Sequence, residues 1–183
     1  MKFQFDAQQP YQLDAIRAVT DLFIGQPAGA GVFEWQPDVF GGELLDRLGI
    51  ANALALTDAR LLENVREIWR RNFPEEKPPA ALATDDLLGA RNFTVEMETG
   101  TGKTYVYLRT IHELHRLYGW KKFVIVVPGV AIREGVLQSL RAMREHFDAL
   151  YGNTPLDSWV YDSAQVSRLR QFAAGNQLQV LGV

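Results

Sequence analysis

The chain has 183 residues, 47% hydrophobic and 22% charged, which provides for a substantial core and argues against a disordered or fibrous chain. It contains no cysteine, which excludes disulfide frameworks and thiolate metal centres, and its start, MKFQFDAQQ, lacks the charged-then-apolar pattern of a secretory signal. The net charge of −3 divides unevenly: residues 1–100 carry 9 Lys and Arg against 16 Asp and Glu, residues 101–183 carry 10 against 6, and only the second half has the sign that suits phosphate backbones.

In chain order, Pro10 to Phe23 reads as an amphipathic helix. Pro10 suits a first turn, and Leu13, Ala15, Ile16, Val19, Leu22 and Phe23 fall at helical spacing before Gly25. Residues 25–42 hold five Gly and two Pro without a sustained period and read as a loop. Thr57 is an N-cap candidate for a second helix through Leu61, Leu62, Val65, Ile68 and Trp69 to Phe73, broken by Pro74-Glu-Glu-Lys-Pro-Pro79. With one convincing helix, 25–90 reads as an insertion or subdomain rather than a separate domain with its own core.

After Arg91 short β-rich runs alternate with helical ones. Phe93–Met97 reads as a strand, and Lys103–Tyr118 as a helix with Leu108, Ile111, Leu114 and Tyr118 on one face. Phe123–Val127 reads as a strand buried on both faces, as in a parallel sheet, and is far shorter than the roughly 18 to 20 apolar residues of a membrane span. A helix over Ala131–Phe147, a strand over Ser158–Tyr161, a helix over Ser163–Phe172 and a strand over Leu178–Val183 follow. The alternation predicts an α/β domain, a parallel sheet with flanking helices, incomplete at its C-terminus because the chain stops on a strand. No membrane segment is expected, and a cytoplasmic location is.

The most informative segment is Met97-Glu-Thr-Gly-Thr-Gly-Lys-Thr104, between a predicted strand and a predicted helix. Glycines let successive N–H groups turn inward on a phosphate, and the helix adds its positive N-terminal end. Lys103 is placed to meet the β- and γ-phosphates and the Thr104 hydroxyl to ligate magnesium. The strict pattern G-x-x-x-x-G-K-[ST] has Gly where this chain has Met97.

Phe93-Thr-Val-Glu-Met-Glu-Thr-Gly-Thr-Gly-Lys-Thr-Tyr-Val-Tyr-Leu-Arg-Thr110 and Lys121-Lys-Phe-Val-Ile-Val-Val-Pro-Gly-Val-Ala-Ile-Arg-Glu-Gly135 resemble the restriction (Res) subunit of type III restriction–modification enzymes, superfamily 2 helicase-like ATPases. The resemblance covers residues 1–24 and about 91–183. It implies a RecA-like P-loop NTPase fold, with residues 1–183 forming the N-terminal part of the first motor domain and 25–90 an insertion between the first helix and the P-loop. It assigns 97–104, with Thr99, Gly100, Thr101, Gly102, Lys103 and Thr104, to helicase motif I, which binds ATP and Mg2+. It assigns Gln12 to the glutamine that reads the adenine edge, and Phe5 to stacking on the base; from the residues alone, Gln12 reads as an exposed helix glutamine. Segment Val127–Arg133 matches motif Ia, in which Pro128, Gly129 and Arg133 meet a DNA phosphate, although Arg133 by itself reads equally as a surface ion pair.

The implied partners are double-stranded DNA and a modification (methyltransferase) subunit, and the implied activity is a DNA-dependent ATPase motor whose cleavage domain lies downstream. The rival readings are a type I restriction motor and a nucleotide-binding switch without hydrolysis. An Asp-Glu-x-His string and arginine fingers, which turnover requires, are absent; Asp85-Asp86 reads as a helix-start charge pair. If the chain did turn ATP over, Glu96, Glu98 and Asp162 are the first carboxylates to test. His112 and His115, three apart with no third ligand, read as a partly exposed helix face rather than a zinc site. Trp35, Trp69, Trp120 and Trp159 read as packing residues.

Overall fold

The computed structural model describes residues 5–29, 31–34, 48–77, 91–162 and 166–183. Trp35, Asp85 and Asp86 lie outside them. The described structure divides into two compact units, one of residues 6–27 and 54–110 and the other of residues 1–5, 28–53 and 111–183.

In the first unit, α1 (Pro10–Thr20) starts with proline in its first turn, where a missing N–H costs nothing, and passes into a 3-10 turn at Asp21–Phe23. The second predicted helix is α2 (Asp58–Asn72), and the Thr57 hydroxyl caps it by accepting from the Arg60 N–H at 3.3 Å. Ile16, Leu22, Leu61 and Leu62 are buried. Between them Asn64, also buried, donates to the carbonyls of Leu22 and Ile24 at 2.9 and 3.0 Å. That amide closes the end of the 3-10 turn, where no further helical N–H is available.

Helix α3 (Lys103–Tyr118) has its first residues in this unit and the remainder, from Ile111, in the other. Its predicted apolar face is the one found: Leu108, Ile111, Leu114 and Tyr118 are buried. Phe93–Met97 is not a strand, contrary to expectation. A strand exists through its ladder of neighbours, and none of the described strands pairs with this stretch, whose Phe93 and Val95 are exposed.

The second unit is built on a parallel sheet of β3 (Lys122–Ile125), β5 (Leu178–Gly182) and β4 (Leu156–Val160), in that order. Pairs Phe123 with Val180 and Ser158 with Val180 set the register. Helices α4 (Val130–Ala142), α5 (Arg144–Tyr151) and α6 (Val166–Ala174) make the crossovers that parallel strands require. The sequence predicts one helix over 131–147; the structure breaks it at Met143 (φ −92°, ψ −1°), whose N–H turns to the carbonyls of Ser139 and Arg141.

Double-sided burial, expected of Phe123–Val127, belongs instead to β5, where Leu178, Gln179 and Val180 are almost wholly inaccessible. β5 is central, whereas β3 lies at an edge among the described strands and exposes Val124. An antiparallel pair, β1 (Gly31–Glu34) and β2 (Leu48–Ala51), lies within the stretch read as an insertion. Directly after β2, Asn52 accepts from the N–H groups of Lys121 and Lys122 and donates to the Lys122 carbonyl, a side chain acting as a length of neighbouring strand. Gly119 (φ +68°) makes the preceding turn, where a Cβ would lie 3.2 Å from the Gly29 nitrogen.

Candidate functional site

The segment 97–104 forms a turn leading into α3, whose first residue is Lys103. Gly100 and Gly102 have φ of +84° and +87°, left-handed backbone that suits glycine. Nothing lies within 4 Å of where a Cβ on Gly100 would stand, so the turn is open there. The Thr101 hydroxyl donates to the Glu98 carbonyl at 2.7 Å, closing the loop on itself. Met97 occupies the place of the pattern's first glycine without left-handed backbone, since Asn153 is the only non-glycine residue with positive φ among the described residues. Its side chain therefore does not conflict with the loop's conformation.

Lys103 is exposed, and its ammonium donates to the carbonyls of Met97 and Glu98, the latter at 2.8 Å. It arches over the turn it follows. Thr104 is half-buried and hydrogen-bonds Tyr107 one turn on, a bond that opposes the upward push of burial on that phenol.

Gln12 is buried on α1 and donates its Nε2 to the Thr101 carbonyl at 2.9 Å. The approach is tight, because a Cβ on Gly102 would come to 2.6 Å from that nitrogen. Glutamine and loop are thus brought together, with Gln12 bracing the turn through one amide hydrogen. Arg109, which the sequence gives no reason to single out, secures the entry to α1: its guanidinium donates to the Ala7 carbonyl at 2.7 Å and to the Tyr105 hydroxyl at 3.2 Å. Burial raises the Tyr105 phenol, and the Arg109 charge partly opposes it.

Other expected site residues fall in the second unit. Phe5 lies against His146, ring centroids 5.4 Å apart. Pro128 and Gly129 are exposed ahead of α4, and Gly129 is its N-cap residue, without a side-chain cap. Arg133 runs along Gly182, its Nε buried and without a hydrogen-bond partner. The uncapped start of α4 leaves backbone N–H groups that suit an anionic group. Glu96, Glu98 and Asp162 are exposed, and no group of three or more His, Asp or Glu residues that could hold a metal occurs among the described residues.

His112 corrects the reading of a partly exposed histidine face. It is buried, in contact with Phe147 and stacked on Tyr151, while His115 Nδ1 pairs with the Trp120 carbonyl at 2.7 Å. Trp69 packs on Phe73, Trp120 donates to the Ala53 carbonyl, and Trp159 meets Phe172 edge-on. No described helix is long and apolar enough to cross a membrane.

The loop's residues fit a phosphate-bearing ligand: an open turn, a lysine arched over it, a hydroxyl one residue later and the N-terminus of a helix behind it. A protein-family model described as "Type III restriction enzyme, res subunit" matches residues 7–155. The EcoP15I Res subunit of a type III restriction-modification enzyme from Escherichia coli is 49% identical over 151 residues, covering 79% of this chain and 14% of that protein. The EcoPI Res subunit of Escherichia phage P1 is 31% identical over 147 residues, with the same coverage of 79% and 14%. The StyLTI Res subunit of Salmonella typhimurium is 52% identical over 68 residues, 36% of this chain and 7% of that protein. The chain thus spans a small fraction of the length of the curated relatives it matches.

Proposed function

The chain belongs to the family of type III restriction enzyme Res subunits, and on that premise we propose that its 97–104 loop is the ATP–magnesium site of a DNA-dependent restriction motor. The observation that carries this reading is the arrangement of Lys103 over a turn whose two glycines are left-handed and whose carbonyl at Thr101 is held by Gln12.

In this reading Thr99 to Gly102 offer backbone N–H groups to the phosphates, and Lys103 exchanges its two carbonyl contacts for phosphate oxygens. Thr104 presents its hydroxyl to magnesium. The bound ion supplies positive charge where the phosphate oxygens gain negative charge during transfer. Gln12, whose Nε2 donates to the Thr101 carbonyl and, at 3.4 Å, to the Tyr11 hydroxyl, turns its amide oxygen to the adenine edge. Pro128, Gly129 and Arg133 meet a phosphate of double-stranded DNA through the uncapped start of α4 and the charge of the Arg133 guanidinium. The modification subunit is the protein partner, DNA cleavage belongs to a part of the Res subunit outside these 183 residues, and residues 1–183 are the first part of the motor domain.

Calorimetry with ATP and magnesium tests the assignment. Lys103→Ala removes a cation whose charge-assisted bonds each contribute about 1.5 to 3 kcal/mol, so affinity should fall by tenfold or more. Equal affinity in wild type and Lys103→Ala would refute the site.

A further inference from the structure

A cavity of about 80 Å³ opens in the second unit, lined by the latter part of α3, the α4–α5 junction and the region of β4. One water needs roughly 10 to 15 Å³ on the same measure, so there is room for a small polyatomic ligand.

One wall is His112, only 5% exposed and held between Phe147 and Tyr151 with ring centroids 4.7 and 5.0 Å away. Its Nδ1 is buried with no hydrogen-bond partner. Folded proteins rarely leave such an atom unmet, because its lost hydration goes uncompensated. Two guanidinium groups, Arg141 and Arg144, line the same cavity against a single carboxylate, Asp148. The Arg144–Asp148 contact is long, 3.8 Å, and Arg141 forms no ion pair among the described residues. Ser158 adds a hydroxyl. Two guanidinium groups against one carboxylate, with a hydroxyl and the His112 ring in the wall, give this small space an excess of positive charge complementary to an oxyanion.

We propose that this cavity binds a phosphate-sized oxyanion, with Arg141 and Arg144 supplying charge, Ser158 a hydrogen bond and the His112 ring one wall. The site shares no residue with the 97–104 loop. His112 has its ionisation lowered to about 4, first by burial and then by His115, against the charges of Asp148 and Glu113. On α5 the facing charges are Arg144 and Asp148, α4 presents Arg141, α3 presents Glu113 and His115, and the Tyr151 hydroxyl donates to Glu113. An anion beside the imidazole favours its charged form, so ligand binding and His112 protonation are coupled.

Inorganic phosphate titrated into the 183-residue chain, with the His112 ring resonances followed by NMR, provides the test. The proposal expects a saturable shift of those resonances and an upward move of the His112 ionisation at saturation. In the double variant Arg141→Gln, Arg144→Gln, whose side chains are exposed and whose loss spares the core, phosphate affinity should fall about tenfold or more. Lys103→Ala should leave the His112 response unchanged, which keeps the outcome separate from that of the ATP assignment. An unsaturable response, or equal affinity in the double variant, would overturn the proposal.

Discussion

Gln12 uses one amide hydrogen on the Thr101 carbonyl, and this gives the residue two separable roles. As a brace it supports the loop for any nucleotide; as a reader of the base edge it distinguishes adenine from guanine, whose exocyclic pattern is reversed. Competition binding of ATP and GTP to Gln12→Ala separates them. We expect the wild type to prefer ATP, since an unpaired base-edge group costs about 1 to 3 kcal/mol, and the preference to vanish in the variant. A wild type that binds both equally would leave Gln12 with the brace alone. His112 carries a residue-scale prediction about pH. Its folded ionisation near 4 lies below the unsupported 6.5, so between those values the unfolded chain binds the proton and the folded chain does not. Stability contributed by neutral His112 is therefore complete above 6.5 and is lost as pH falls toward 4, by up to about 3 kcal/mol. Denaturant melts of wild type and His112→Phe over that range check the sign: the difference between them should change in favour of the variant on acidification.

At the scale of elements, α2 and the end of α1 depend on a polar contact in an apolar setting. Asn64 meets two carbonyls at the end of the 3-10 turn, and Asn64→Ala leaves both without that donor. Buried acceptors left unmet make this an expected loss of about 1 to 3 kcal/mol, measured by urea unfolding. An unchanged midpoint would mean that water replaces the amide at no cost. The elements also mark where sequence patterns suffice. Helices α1, α2 and α3 repeat apolar residues every three or four positions, and Pro10 and Thr57 mark two of their starts. The break at Met143 has neither Gly nor Pro to announce it. β1 and β2 are four residues each and form a ladder with each other, so nothing local in the Gly- and Pro-containing stretch around them declares a strand.

For the whole molecule, the expectation is nucleotide binding without turnover. The 97–104 loop is proposed to hold phosphates, but positioning the attacking water and neutralising transition-state charge require an acidic motif and arginine fingers, and no Asp-Glu-x-His string occurs in residues 1–183. An arginine finger alone supplies about 10³ to 10⁵ in rate. Phosphate release from the purified chain should stay at background with or without DNA. Turnover near the roughly 1 to 10³ per second usual for enzymes, abolished by Lys103→Ala, would mean that carboxylates such as Glu96, Glu98 or Asp162 complete a site within these residues.

The sequence by itself determined helices α1, α2 and α3, the α/β class and the turn before α3, because hydrophobic period, caps and the glycine–lysine spacing are local properties written in consecutive residues. It also carried the family resemblance through the strings at 93–110 and 121–135. Tertiary structure decided which of the described strands is central, that Phe93–Met97 pairs with none of them, and that Gln12 clasps the Thr101 carbonyl. It also decided that Arg109 anchors the start of α1 and that His112 is buried beside two arginines. Each of these depends on residues far apart in the chain meeting in space: burial, pairing and ionisation are set by neighbours, and a single sequence does not specify which neighbours those will be.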